Sequence, residues 1–195
     1  ICNAGVDFIK ISSFDVGNMP FLNKISKKDL PVVMSTGGGN LKVVQDSVEI
    51  LQKNIDDITI LHCVSEYPCT YDRLGLETIE KYIDLFPNCR IGISDHFNGI
   101  LSGPISYMLG ARVFEKHVTL NRAWQGTDHS FALEPHGFES FVRDIKRVPK
   151  MMPVKQDGTL GNEPVFIKLG KSITAACDLQ AEDVIKINDL SGKIY

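Results

Sequence analysis

Ile91-Gly92-Ile93-Ser94-Asp95-His96 and Arg112-Val113-Phe114-Glu115-Lys116-His117 are the two stretches whose reading decides the fold. Each is a short apolar run of buried-strand type that ends in a histidine. A single helical stretch separates them, so they read as parallel neighbours of one βαβ unit. Residues i and i+2 of a strand share a face, which groups Ser94 with His96 and Glu115 with His117. Two imidazoles at adjacent strand ends can bind a divalent ion and leave positions open for substrate and water. Glu115 would either join them as a ligand or orient an imidazole or the bound water. One such histidine alone would be read as structural; two on adjacent strands favour a metal site.

The same texture extends on both sides of this unit. Strands are expected at Phe8–Ser12, Val32–Ser35, Ile58–Val64, Ile91–Ser94 and Arg112–His117. Several are almost continuously apolar, as in a parallel sheet covered on both faces. Between them Leu41, Val44, Val48 and Leu51 recur at helical spacing behind an N-cap, Asn40. Leu76, Ile79, Ile83 and Phe86 form a second such face. Pro135 starts a last helix whose inner face is Phe138, Phe141, Ile145 and Val148. Five βα units result, which fit an open doubly wound sheet or part of a (β/α)8 barrel. Polar residues at every strand end (Lys10 and Ser13, Ser35 and Thr36, Ser65, Ser94 and His96, Glu115 and His117) favour the barrel, which gathers all its strand ends at one mouth. An open sheet would concentrate its chemistry at one switch point. Thr36-Gly37-Gly38-Gly39-Asn40 lacks the spacing of a dinucleotide or P-loop motif, but its amides could cradle a phosphate at a helix start.

With 195 residues, 43% of them hydrophobic, and a net charge of −3, the chain can bury a sizeable core and shows no bias toward nucleic acid or anionic membranes. No apolar run is long enough for a membrane span. Five scattered cysteines (Cys2, Cys63, Cys69, Cys89, Cys177) suggest reduced thiols and a cytoplasmic setting, with Cys63 and Cys69 packing in a strand and a loop. A complete barrel needs about 250 residues, so residues 1–150 are expected to be the latter part of one. Residues 151–164, rich in proline and glycine, read as a linker. Residues 165–195 have short β-like runs and read as the start of a small second domain, the whole chain being a fragment.

At the mouth, Lys10 would be a cation for a carboxylate or phosphate, and Ser35 and Thr36 would add neutral donors. His62, inside a strand, reads as a packed, hydrogen-bonded histidine. Gly126-Thr127-Asp128-His129-Ser130 lies on a loop that could close over a barrel site.

These residues resemble the sialic acid synthases and related nonulosonate synthases. The resemblance runs through Lys10-Ile11-Ser12-Ser13, Met34-Ser35-Thr36-Gly37, Leu61-His62-Cys63-Val64-Ser65-Glu66-Tyr67-Pro68, Gly92-Ile93-Ser94-Asp95-His96, Glu115-Lys116-His117-Val118-Thr119-Leu120 and Gly126 through Pro135. Lys171 to Lys193 is similar to the opening of the antifreeze-like (SAF) domain that ends these enzymes. The resemblance implies a (β/α)8 TIM barrel that condenses phosphoenolpyruvate with an N-acylated aminohexose, such as N-acetylmannosamine, to a nine-carbon α-keto acid with release of phosphate. By position it assigns Mn2+ or Mg2+ to His96 and His117, phosphoenolpyruvate to Lys10, Ser13, Ser35, Ser65 and Ser94, and the open-chain sugar to Tyr67 and Asp128. A domain-swapped homodimer is implied as well, and a fragment lacking the first three strands is expected to be inactive. Ser13-Phe14-Asp15 departs from the Ser-Gly-Glu of many sialic acid synthases toward the pseudaminic acid branch. Ile194 stands where the family has an arginine, which leaves the acceptor sugar open between sialic, legionaminic and pseudaminic acid precursors. A metal-dependent TIM-barrel hydrolase or a non-catalytic carbohydrate-binding relative are the alternatives of another class.

Overall fold

The structure, a computed structural model, describes residues 5–154 and 161–194. The chain divides into two units, Ile1–Met151 and Met152–Tyr195. The first is built on five parallel strands: β1 (Ile9–Ile11), β2 (Val32–Ser35), β3 (Ile58–Cys63), β4 (Arg90–Asp95) and β5 (Val113–Lys116). They lie side by side in chain order, each joined to the next by a crossover helix: α1 (Met19–Ile25), α2 (Leu41–Leu51), α3 (Thr78–Leu85) and α4 (Ser102–Met108). Helix α5 (Pro135–Met151) follows the last strand. An open doubly wound sheet reverses strand order at its switch point; this order does not reverse.

The sheet is strongly curled. Neighbouring strands lie about 4.8 Å apart, so the first and fifth strands of a flat sheet could not touch. Yet Lys10 Nζ on β1 is 3.4 Å from Glu115 Oε2 on β5. The five strands therefore arc around a shared interior, forming half of a barrel.

Strand register sorts every side chain onto one of two faces. Ile11, Met34, Ile60 and Ile91 are successive register partners and face the helices. With Val32, Ile58 and Ile93 from the sheet, and Leu22, Val44, Val48, Leu51, Ile79, Tyr82 and Phe86 from the helices, they form the core. Each such aliphatic side chain contributes about 1.5–3 kcal/mol on burial. The alternate residues face the interior: Ser35, Leu61, Gly92 and Val113 form one row, and Cys63, Ser94 and Glu115 the next.

Local detail departs from the sequence reading in three places. The buried stripe of α3 runs through Ile79 and Tyr82 to Phe86, whereas Ile83 is 38% exposed. Tyr82 can be buried because its hydroxyl donates to Thr36 Oγ1 at 3.2 Å. On α5, Phe141 is buried and Phe138 faces solvent. Strand β5, expected to be buried, is only half-buried, because it is the last in the row and has a neighbour on one side. The cap of α2 is as expected: Asn40 Oδ1 accepts the Val43 N–H at 3.0 Å.

The second unit holds a short helix, α6 (Pro164–Leu169), and an antiparallel ribbon of β6 (Ser172–Ala175) and β7 (Leu190–Lys193). None of its described residues is buried. Residues 155–160 of the expected linker, like Cys2 and Tyr195, lie outside the described residues. Among the described residues no helix is long and apolar enough to cross a membrane.

Candidate active site

Parity along the strands brings the strand-end polar residues to one interior mouth. His96 follows directly on β4 and His117 on β5, and their rings approach with centroids 5.2 Å apart, nearly edge to face. Two imidazoles bound to one ion at about 2.1 Å have centroids about 5 Å apart, so the pair suits a shared metal. His96 Nδ1 lies 2.7 Å from the Val64 carbonyl oxygen. A carbonyl can only accept, so Nδ1 carries the proton and Nε2 keeps its lone pair for a ligand. His117 Nδ1 is 3.6 Å from Asp128 Oδ2. Burial, then the neighbouring His96, hold the His117 pKa below its ordinary value, which favours the neutral ring a metal needs. Burial opposes the charged form of His96 too, but the Cys63 sulfur and the Val64 carbonyl outweigh it and raise that pKa. Among the described residues no group of three or more His, Cys, Asp and Glu is placed to hold a metal ion. The two histidines would thus leave most of a coordination sphere to other groups.

Beside the histidines lies a polar chain drawn from four strands. Lys10 Nζ donates to Ser35 Oγ at 2.9 Å and reaches Glu115, whose other oxygen accepts from Ser94 Oγ at 2.6 Å. A second chain starts at the glycine turn after β2. The Gly37 N–H donates to Ser13 Oγ at 3.0 Å, and Ser13 Oγ donates to Cys63 Sγ at 3.3 Å. A Cβ added at Gly37 would stand 2.4 Å from Ser65 Oγ, 2.9 Å from Cys63 Sγ and 3.0 Å from Ser13 Oγ. Only a residue without a side chain fits here, which lets the Gly37 backbone pack directly against the Ser13 and Ser65 hydroxyls. The Tyr67 ring lies over His96 with centroids 4.0 Å apart, and 6.0 Å from His117.

Of the residues singled out from the sequence, Lys10, Ser35, Ser94 and Glu115 form one chain, and Tyr67, His96, His117 and Asp128 form a cluster that Cys63 joins to Ser13; Ser65 lies beside Gly37. Two readings need correction. Cys63, expected to be a packing residue, is central to the mouth: it contacts Ser13 and lies 4.0 Å from His96 Nδ1. Burial would push its thiol up, yet His96, Ser13 and Ser94 together draw the pKa below its ordinary value. Its parity with Ser94 and Glu115 was the available signal. Thr36, expected to donate into the mouth, is buried and gives its hydroxyl to the Leu61 carbonyl at 3.1 Å. His62 faces the helices, with Nε2 2.7 Å from the Leu74 carbonyl oxygen, as its strand position predicts. His129, on the mouth loop, is tied by Nδ1 to Thr119 Oγ1 at 2.7 Å.

Missed altogether was a buried ion pair directly behind the histidines: Asp95 Oδ2 and Lys116 Nζ are 2.7 Å apart, with side chains 0% and 1% exposed.

The sequence profile of the NeuB family matches residues 1–157. The chain belongs to the NeuB family. Among its relatives, the N-acetylneuraminate-9-phosphate synthase of Mus musculus is 34% identical over 194 residues, covering 97% of this chain and 53% of that protein. The N,N'-diacetyllegionaminic acid synthase of Campylobacter jejuni is 31% identical over 194 residues, covering 97% of this chain and 58% of that one. The crystal structure of the N-acetylneuraminic acid (sialic acid) synthetase from Leptospira borgpetersenii superposes with a TM-score of 0.76 at 28% identity, over 83% of this chain and 57% of the other. The NeuB chain described here therefore spans about half the length of the curated relatives it matches.

Proposed function

We propose that this chain supplies much of the active-site wall of a nonulosonate synthase, which condenses phosphoenolpyruvate with an N-acylated aminohexose and releases phosphate. The observation that carries the reading is the meeting, in one mouth, of a histidine pair suited to a divalent ion and a lysine–serine anion site. Family membership supports this chemistry over other metal-assisted reactions on an anion. The whole protein would close the half-barrel into a (β/α)8 TIM barrel, add an antiparallel SAF domain after it, and act as a cytoplasmic homodimer.

In this reading Lys10 neutralises phosphate or carboxylate charge, and Ser35 holds its ammonium in place. Ser13, which the Gly37 N–H holds in place, and Ser65 turn their hydroxyls to a second set of anionic oxygens, with Ser94 beside Glu115 at the reacting end. Tyr67 and Asp128, flanking the histidines, position the open-chain sugar. His96 and His117 would hold Mn2+ or Mg2+, which supplies Lewis acidity toward the sugar aldehyde oxygen. C3 of phosphoenolpyruvate attacks the aldehyde carbon, water adds at C2, and the C2–O bond breaks to free phosphate. Donors already in place stabilise that charge without reorganising.

The test is to supply the full-length protein with Mn2+, phosphoenolpyruvate and, in turn, N-acetylmannosamine, its 6-phosphate and diacetylated aminohexoses of the legionaminic and pseudaminic series. Phosphate and α-keto acid should appear together with one of these sugars. Absence of phosphate with all of them sinks the proposal, and phosphate without sugar consumption would indicate a hydrolase instead.

A further inference from the structure

We infer that the buried Asp95–Lys116 pair is a positioning device that sets the spacing of His96 and His117. The inference rests on the proposed metal-ligand role of those histidines. Asp95 and Lys116 are register partners on β4 and β5, each one residue before its histidine. Strand alternation sends the histidines into the mouth and the ion pair to the opposite, helix-facing side. The pair therefore cannot touch a substrate, yet it grips the same two strand ends from behind.

The grip is detailed. Asp95 Oδ1 accepts the Phe97 N–H at 2.8 Å, and Oδ2 accepts from Ser102 Oγ at the start of α4. Lys116 Nζ donates to Asp95 and also to the Phe97 carbonyl oxygen. Both backbone groups of the residue after His96 are thus held by the two charges. The His96 carbonyl is in turn fixed by the Cys69 N–H at 3.0 Å, and the His117 carbonyl by the Leu133 N–H at 2.9 Å. With the backbone pinned on either side, the imidazoles have only their own torsions left to adjust. A buried ion pair is weak evidence for stability, because desolvation offsets most of its attraction; a role in fixing geometry accounts for it better. Lys116 lies 6.0 Å from the Phe141 ring centroid, and burial lowers its pKa against the opposing pull of Asp95.

The experiment uses full-length protein and the paired variant Asp95→Asn/Lys116→Met, which removes both charges at similar volume. Melting temperature reports the fold, Co2+ titration followed by visible absorption reports the metal site, and imidazole 15N resonances of the metal-free protein report the histidines alone. The expected result is melting within about 4 °C of the parent, Co2+ affinity about 10- to 100-fold weaker, and shifted His96 and His117 resonances. Parental Co2+ affinity with unchanged imidazole resonances would overturn the inference. If the parent binds no Co2+, the metal reading fails, while the imidazole resonances still decide whether the pair positions the rings. Should the paired variant not fold, Ser102→Ala loosens Asp95 without uncovering a charge. It should shift the same resonances by less, and no shift would count against the inference.

Discussion

Replacing Gly37 by alanine separates binding from folding at the glycine turn after β2. The added methyl would sit 2.4 Å from Ser65 Oγ, 2.9 Å from Cys63 Sγ and 3.0 Å from Ser13 Oγ. All three atoms are ends of side chains that can turn away, so the backbone need not move. The stability cost should stay near the low end of overpacking, about 1 kcal/mol, or roughly 2–4 °C in melting temperature for a chain of this size. What is lost is the site. Ser13 and Ser65 swing out, and the Gly37 N–H loses its Ser13 partner. Losing two hydrogen bonds to a charged group, at about 1.5–3 kcal/mol each, weakens phosphoenolpyruvate binding by at least about a hundredfold. Gly38→Ala is the contrast. There the new Cβ would lie 2.2 Å from the Ser13 carbonyl oxygen, a backbone atom, so the turn itself must shift and stability falls further. Calorimetric titration of the full-length variants with phosphoenolpyruvate, beside their melting curves, measures both quantities. Parental affinity in Gly37→Ala would refute the proposed binding role of Ser13 and Ser65.

Three further outcomes are expected. Glu115→Gln should change stability by less than about 1 kcal/mol, since Lys10 and Glu115 are both partly solvated. Sugar-dependent phosphate release should nonetheless fall about tenfold or more; unchanged turnover would remove Glu115 from the site. Asn40→Ala deletes the α2 cap and should cost about 1 kcal/mol with ligand affinity untouched, as read by denaturant unfolding and calorimetry. His62 is kept below its ordinary pKa near 6.5 by burial. Below that pH the unfolded chain takes up a proton that the folded one refuses, so His62 makes stability fall as pH drops through 6.5 toward its depressed folded value. His117 acts in the same direction, whereas the raised pKa of His96 opposes both. Melting curves of His62→Gln from pH 7.5 to 5.5 should be flatter than the parent's, and parallel curves would show that His62 does not contribute.

Strand identity and parity were legible because apolar runs such as Ile58–Cys63 and Arg90–Asp95 are short and sit between helical stretches. The i, i+2 rule then sufficed to put His96 and His117 together. Cys63 was misjudged because its partners, Ser13 and His96, come from other segments, and nothing in the local sequence shows that a thiol will meet them. Thr36 was misjudged for the converse reason: a hydroxyl beside a glycine turn can aim at the mouth or at a neighbouring strand, and Tyr82 and Leu61 claim it for the wall. The ion pair left a visible trace, an acid and a base each one position before a histidine. Charge inside an apolar strand is so often solvated at a strand end that its burial emerged only from the packing of Ser102 and Phe97.

The alternation that separates mouth from wall has a consequence for how this protein can change. A substitution at Ser35, Ser94 or Glu115 changes the lining of the mouth and leaves the wall standing. Inserting or deleting a single residue within β4 or β5 would do something quite different: it would turn the histidines toward the helices and bring Asp95 or Lys116 into the mouth. Along these two strands, divergence of specificity can therefore proceed through point changes, whereas length changes are confined to the loops.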